Sequence, residues 1–256
     1  MNYERMIATR RSLLTGLASA GGLLLTGCSE SEPPTYGNLL RMGDALTYKA
    51  QRLLLPAQAL AREYERRDVS SIPAIGNTNP GDSRQATFNA ARGPLYDQLR
   101  SGSFTHWRLS IEGSVARPGL YSLADLHRFP SRTQITKHTC EEGWSAIAEW
   151  TGVQLRRVLE AAGMLPAARY VNFHAFDDTV DSIDMRDALH PQTLLAYGMN
   201  GRELPVAHGA PLRLRVETQL GYKSVKYLQR IVVTDKFYDP GKLGPLQTGW
   251  AWYVGI

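Results

Sequence analysis

Between residues 107 and 233 the chain is a run of short strand-like stretches, separated by glycine, proline and asparagine turns and broken only by brief helical segments. Residues 107–112 alternate with a period of two, and residues 132–138, 170–174 and 225–233 read as further strands. Leu212, Leu214 and Val216 alternate with Arg213, Arg215 and Glu217. Ser122-Leu-Ala-Asp125 has the form of a capping box opening a short helix, and residues 153–162 read as a helix stopped by Gly163. Asn200-Gly201, after Leu194-Leu-Ala-Tyr197, is a hairpin signal. Nothing repeats, and strands and helices do not follow a regular βαβ rhythm. The pattern predicts an α+β fold of mixed sheets with short helices rather than a doubly wound one. With 23 glycines and 14 prolines, turns are favoured over a helical bundle. A composition of 43% hydrophobic and 21% charged residues excludes a disordered, collagen-like or coiled-coil chain.

Upstream the pattern changes. Residues 39–67 are helix-like, with Leu46, Leu53, Leu54 and Leu60 near helical spacing and a kink expected at Pro56. Residues 70–82 contain Pro73, Gly76, Asn77, Pro80 and Gly81, so an irregular and functional stretch is expected there. Residues 29–38 read as a polar tether. Thr9-Arg10-Arg11-Ser12-Leu13-Leu14 opens an apolar run over residues 13–25 that includes Gly16, Gly21 and Gly22. A membrane span needs about 20 apolar residues, so this run reads as a signal-peptide core. The paired arginines look like a twin-arginine export signal, a route that carries proteins already folded, often around a cofactor. Leu25-Thr26-Gly27-Cys28 resembles a lipobox, in which Cys28 becomes the lipid-bearing first residue; a plain cleavage nearby is the alternative. The expected division is a signal peptide over 1–27, a tether and helical extension over 28–69, and the main domain over 70–256. The expected location is periplasmic, with a lipid anchor to the membrane at Cys28.

The formal charge of +5 is carried in part by Arg5, Arg10 and Arg11 of the leader. What remains is too small to argue for nucleic acid, and no basic stripe is interleaved with aromatics. The chain has two cysteines, Cys28 and Cys140. If Cys28 is lipidated, Cys140 is a lone thiol in an oxidising compartment, which should be buried or occupied by a ligand.

Cys140 stands in Lys137-His-Thr-Cys-Glu-Glu-Gly-Trp-Ser145, just past a strand. A catalytic thiolate would need a base such as His138 and positive surroundings, whereas Glu141 and Glu142 oppose it. A zinc site could draw on His138, Cys140 and His174, although no recognised zinc spacing is present. A soft, redox-active metal needs only this one protein ligand if a cofactor supplies the rest. Further on, His208, Arg213, Lys223 and Lys226 gather positive donors among glycines that permit close backbone approach. Such a set can bind a phosphate and a planar heterocycle, or it can be a solvated basic strand face.

Three ordered segments carry a resemblance. Thr193-Leu-Leu-Ala-Tyr-Gly-Met-Asn-Gly-Arg-Glu-Leu-Pro205, then His208-Gly-Ala-Pro-Leu-Arg213, then Gly221-Tyr-Lys-Ser-Val-Lys226 come after Cys140 in order. Together they resemble the molybdopterin-binding domain of the sulfite oxidase family, over roughly residues 70–256. The resemblance implies the sulfite oxidase-type α+β fold, a molybdenum–molybdopterin cofactor and Cys140 as the single protein ligand of molybdenum. It implies cofactor contacts from His208, Arg213, Ser224, Val225 and Lys226, from Asp177, and from a first loop at Gly76, Asn77 and Thr78.

Sulfite oxidases proper carry an arginine-rich segment after the ligand cysteine, where this chain has Cys140-Glu-Glu-Gly-Trp144. Negative charge there would repel sulfite. The Cys-x-Glu-x-Trp form is similar instead to a periplasmic subgroup, the methionine-sulfoxide reductase catalytic subunits. The resemblance thus implies an exported oxidoreductase performing two-electron oxygen-atom transfer, with reduction of a small S-oxide or N-oxide expected. Oxidation of sulfite or another small molecule is the alternative, as is a non-catalytic lipoprotein scaffold that keeps the fold. Glu142 is expected either to move protons or to be a capped, structural carboxylate. Expected partners are the small-molecule substrate and an electron-transfer cytochrome or membrane haem subunit.

Overall fold

The computed structural model describes residues 36–86, 88–236 and 252–256. The expected signal peptide, the lipobox with Cys28 and most of the tether lie outside them. The chain divides into Met1–Leu39 and Leu40–Ile256. Among the described residues the first unit contributes only the opening of helix α1 (Tyr36–Leu54), and the strands all belong to the second.

Helix α1 stops at Leu54, two residues before Pro56, rather than kinking there and running to residue 67 as expected. A proline disfavours the helical conformation of the residue before it. The chain beyond is extended, and the Tyr64 N–H donates to the Ile135 carbonyl at 2.8 Å. Residues 70–86 contain no helix or strand, as expected.

After α2 (Gly93–Ser101), two five-stranded sheets form. The first comprises β1 (Leu109–Gly113), β2 (Gly119–Tyr121), β5 (Tyr170–Ala175), β6 (Val180–Asp184) and β10 (Leu228–Thr234). Their order is β2-β1-β10-β5-β6, with β1 and β10 parallel and the other pairs antiparallel. The second comprises β3 (Ser131–Thr139), β4 (Ser145–Gln154), β7 (Leu194–Met199), β8 (Arg202–Glu203) and β9 (Arg213–Arg215). It runs β3-β4-β7-β8, with β9 antiparallel to β7.

Short helices close the gaps between strands. In α3 (Leu123–His127) the Ser122 Oγ accepts from the Asp125 N–H at 3.1 Å, and the Ser122 N–H donates to the Asp125 carboxylate at 2.9 Å, completing the capping box. Helix α4 (Leu155–Ala162) buries Leu155, Val158, Leu159 and Ala162, a helical stripe, and ends on Gly163 at φ 72°. Burial contributes about 1.5–3 kcal/mol for each large apolar side chain. The helix starts two residues later than expected, because Val153 and Gln154 still belong to β4. A one-turn helix α5 (Met185–Ala188) comes after β6. Asn200 (φ 51°) and Gly201 (φ 73°) make the tight β7–β8 turn as expected. The main core joins Leu109, Ile111, Phe173 and Ile231 of the first sheet to Val153, Leu195 and Leu214 of the second.

Candidate functional site

Thr139 and Ser145 pair at the turn end of the β3–β4 hairpin, and residues 140–144 bridge them. The Cys140 N–H donates to the Trp144 carbonyl at 2.9 Å, and the Gly143 N–H donates to the Cys140 carbonyl at 3.1 Å. Gly143 takes φ 91°, which a side chain would strain. This turn presents the Cys140 sulfur to a cavity of about 440 Å³, within the usual size range of ligand pockets. Cys140 is only 3% exposed.

Two later loops form the opposite wall. Arg213, at the start of β9, is buried and donates from Nη1 to the His208 carbonyl at 2.9 Å and from Nη2 to the Ser224 carbonyl at 3.0 Å. Its guanidinium lies 4.9 Å from the Trp150 ring centre, and that of Arg215 lies 4.4 Å from it. The alternation that suggested a solvated basic face therefore conceals two buried arginines. Arg215 is held by Glu217 at 2.6 Å and donates to His138 Nδ1 at 2.8 Å.

Lys226 ties the third loop in place. Its ammonium donates to the Ile75 carbonyl at 2.9 Å and also to the Asn77 carbonyl, which accepts from the Tyr227 hydroxyl at 3.0 Å as well. Gly76 and Asn77 are thereby brought to the cavity across about 150 residues of sequence.

Of the residues expected at a cofactor, Gly76, Asn77, Cys140 and Asp177 line this one cavity, together with His208, Arg213, Ser224, Val225 and Lys226. Thr78 does not line it; its N–H turns to the Gln85 side chain at 3.3 Å. Glu142 does not line it either. Its carboxylate accepts from Trp144 Nε1 at 3.0 Å, the capped arrangement, and Glu141 takes the place at the wall. Lys223, grouped with the positive donors in sequence, points away and pairs with Asp181 and the Ser182 carbonyl. Sequence reasoning passed over Glu141 and Tyr222, both inside the quoted motifs, and Ile72 and Ile75, for which the sequence offers no signal.

The electrostatics are one-sided. Burial, with the neighbouring cations, pushes His208 down to about 4 and Lys226 down to about 8. Burial, with repulsion from Arg215, pushes Arg213 down to about 9. Asp177 is the buried carboxylate of the wall and is pushed up by burial. Two buried donors of residues that line the cavity, Arg213 Nε and Asn77 Nδ2, have no hydrogen-bond partner within the protein. Buried donors are rarely left unpaired, and a planar anionic group would satisfy them. The Cys140 thiol is pushed up to about 11, first by burial and then by Glu141 and Glu142, against the favourable Glu142 N–H. A free thiolate nucleophile is thus disfavoured, while a bound cation would draw off the proton.

The zinc alternative fares no better. Among the described residues no group of three or more His, Cys, Asp or Glu could hold a metal. His174 sits on β5 with Nδ1 3.2 Å from Arg230. A single thiolate facing a cradle of cations fits a metal carried by its own anionic cofactor.

The burial of these cations couples the cradle to pH. In cofactor-free protein, Lys226 titrates near 8 when folded and near 10.5 when unfolded, so the unfolded chain binds more protons between those values. The contribution of Lys226 to stability should therefore rise with pH across that window, by on the order of 3 kcal/mol, while the raised Cys140 thiol acts in the opposite direction. The difference in urea midpoints between the unsubstituted chain and Lys226→Met, followed from neutral to alkaline pH, isolates this contribution, and a difference that does not change with pH would count against it. The cradle is also tightly packed. At Gly221, an added Cβ would overlap the His138 ring and lie 3.1 Å from the Thr139 carbonyl. Gly221→Ala should therefore displace the turn that carries Tyr222 and Ser224, lowering stability by about 1–3 kcal/mol. Thermal unfolding reads the loss, and an unchanged midpoint would mean the ring moves aside freely.

Comparison with known proteins agrees with this geometry. The family model described as "oxidoreductase molybdopterin binding domain" matches residues 98–240. A protein of Azospira oryzae with the provisional name protein-methionine-sulfoxide reductase subunit YedZ1 is 35% identical, over 97% of this chain and 88% of its own. The protein-methionine-sulfoxide reductase catalytic subunit MsrP of Xanthomonas axonopodis pv. citri is 28% identical, over 91% of this chain and 72% of its own. Among solved structures, the sulfane dehydrogenase SoxCD of Paracoccus pantotrophus superposes with a TM-score of 0.51 at 26% identity. That match covers 54% of this chain and 40% of the SoxCD chain. With a sulfite oxidase-type fold, a buried thiol and a cationic cradle around one cavity, this chain belongs to the molybdopterin-binding oxidoreductase family.

Proposed function

We propose that this chain is an exported, membrane-tethered reductase of S-oxides or N-oxides. The observation that carries the direction and substrate class is the composition of the cavity wall. The cations are gathered on the cradle side, where they would hold the anionic cofactor. Beside Cys140 the wall carries the Glu141 carboxylate and Trp144, and Ile72 and Pro73 add apolar surface to the same cavity. A neutral oxide with apolar substituents suits that surface, whereas sulfite would meet a carboxylate. The relatives named as protein-methionine-sulfoxide reductase subunits support the same reading.

When bound, molybdenum–molybdopterin supplies two-electron oxygen-atom transfer chemistry. Cys140 would be the protein ligand of the metal, and Arg213, His208, Lys226 and Asn77 would hold the pterin and its phosphate. Ser224, Val225, Gly76 and Asp177 would complete the cradle. Reduction of an S-oxide consumes two electrons and two protons and releases a sulfide and water. Glu141, whose Oε2 lies 3.5 Å from the Cys140 sulfur, is the carboxylate positioned to hold a proton at the wall. Electrons would arrive singly from a haem protein, either a cytochrome or a membrane subunit. The leader with Arg10-Arg11 and the lipobox ending at Cys28 support a periplasmic location and lipid attachment.

The test is metal and pterin analysis of protein folded before export, followed by assay against S-oxides, N-oxides and sulfite. Near-stoichiometric molybdenum with turnover of an S-oxide is expected. Faster oxidation of sulfite would reverse the direction, a reading towards which the sulfane dehydrogenase neighbour points. Protein without molybdenum would be a scaffold.

A further inference from the structure

Helix α1 leaves an apolar stripe facing outwards. Met42, Leu46 and Leu53 share one helical face, and Leu46 is 53% and Leu53 84% exposed. Leu54, Leu55 and Leu60 continue exposed beyond it. Single exposed leucines are ordinary, but a series at helical spacing marks a surface that meets something apolar.

The opposite face is already committed. The Tyr48 hydroxyl donates to Asp184 at 2.8 Å, and Arg52 bridges Asp184 at 2.9 Å and Asp187 at 2.7 Å. Gln51 donates to the Gly255 carbonyl at 3.3 Å. The helix cannot rotate to bury its leucines without breaking these bonds. Lys49 lies within the stripe, exposed, where its ammonium can reach a layer of phosphates while its stem covers apolar surface.

The length of chain ahead of the helix says what covers the stripe. Tyr36 lies eight residues after Cys28, a reach of about 28 Å when fully extended. With the membrane attached at Cys28, the first residue of α1 is held within that distance of the bilayer, and the helix is short enough to lie along it. Among the described residues no helix is long and apolar enough to cross a membrane, so α1 can lie on the surface but not span it.

We propose that α1 lies along the bilayer surface, with Met42, Leu46, Leu53 and Leu54 seated at the boundary between headgroups and acyl chains. This goes beyond the lipid anchor, although it rests on that reading for the proximity of the bilayer. A tether alone lets the domain tumble. A seated helix fixes the orientation of the domain, and hence of its cavity, relative to the bilayer.

The experiment uses the full, cofactor-loaded chain on vesicles of phosphatidylethanolamine and phosphatidylglycerol. A bimane attached at Leu53→Cys should be quenched by spin-labelled lipid, whereas one at the exposed Gln98→Cys on α2 should not. In a Cys28→Ser background, adding Leu46→Glu, Leu53→Glu and Leu54→Glu should lower vesicle binding by at least about tenfold. The circular dichroism should be unchanged, because all three side chains are more than half exposed. A Leu53 label that stays in water on anchored protein overturns the proposal while leaving the tether standing. Equal quenching at both positions overturns it, as does shielding of Leu53 in native membranes but not in pure lipid, which would indicate a protein partner. Membrane retention of the unsubstituted chain against Cys28→Ser reports on the anchor separately.

Discussion

Replacing Cys140 with serine is expected to lower turnover at least about 100-fold, or roughly 2.7 kcal/mol in barrier at 1.36 kcal/mol per decade. Serine is harder and less readily deprotonated than cysteine, so it serves a soft, redox-cycling metal poorly. The substitution leaves the donors from Arg213 and Lys226 untouched, because their bonds run to the carbonyls of His208, Ser224, Ile75 and Asn77 rather than to the β3–β4 turn. Pterin content should therefore fall less than activity does. X-ray absorption should show one sulfur fewer around molybdenum. Full turnover with an unchanged sulfur count would remove Cys140 from the metal.

The second large effect is expected at Arg213. Two consequences of Arg213→Met oppose each other in cofactor-free protein. The carbonyls of His208 and Ser224 lose their donor, which costs on the order of 1–3 kcal/mol each if they stay buried. Against this, a desolvated cation beside Arg215 disappears, a relief whose direction is set by the depressed Arg213 value. The two largely offset, so the midpoint of unfolding should move little. Cofactor retention has no such compensation. Loss of a charge-assisted donor, with its Nε otherwise free for a ligand, should lower molybdenum and pterin content about tenfold or more. Arg213→Lys should not rescue it, because one ammonium cannot span both carbonyls and still reach the cavity. Undiminished cofactor in Arg213→Met, measured with unfolding of the stripped protein, would exclude Arg213 from the cradle.

How legible these features were in sequence depended on how local their causes are. The Ser122–Asp125 box, the Asn200-Gly201 turn and the glycine stop after Ala162 act within a few residues, and each was readable. Strand β4 was missed because it is buried on both faces and so shows no alternation. The basic residues of β9 read as either solvated or ligand-binding. What buries them, Trp150 beneath and Glu217 beside, is a tertiary fact. Family motifs located nine cavity residues but exchanged Glu142 for Glu141, because the conformation of the turn after Cys140 decides which carboxylate faces inwards. The pairing of the loop at residues 75–77 with Lys226 spans most of the domain and leaves no local trace.

The position of β10 has a consequence for biosynthesis. This strand, near the end of the described domain, occupies the middle of its sheet, between β1 and β5. Until it inserts, β2-β1 and β5-β6 are separate ribbons with their central neighbour missing. The residues that close the cavity, from His208 to Lys226, are likewise made after the turn that carries Cys140. At roughly 5–20 residues per second of translation, a nascent chain has no container for a prosthetic group during the seconds before those residues are made. A container for the pterin therefore has to wait for β10, and the long-range closure of that sheet sets when insertion can begin.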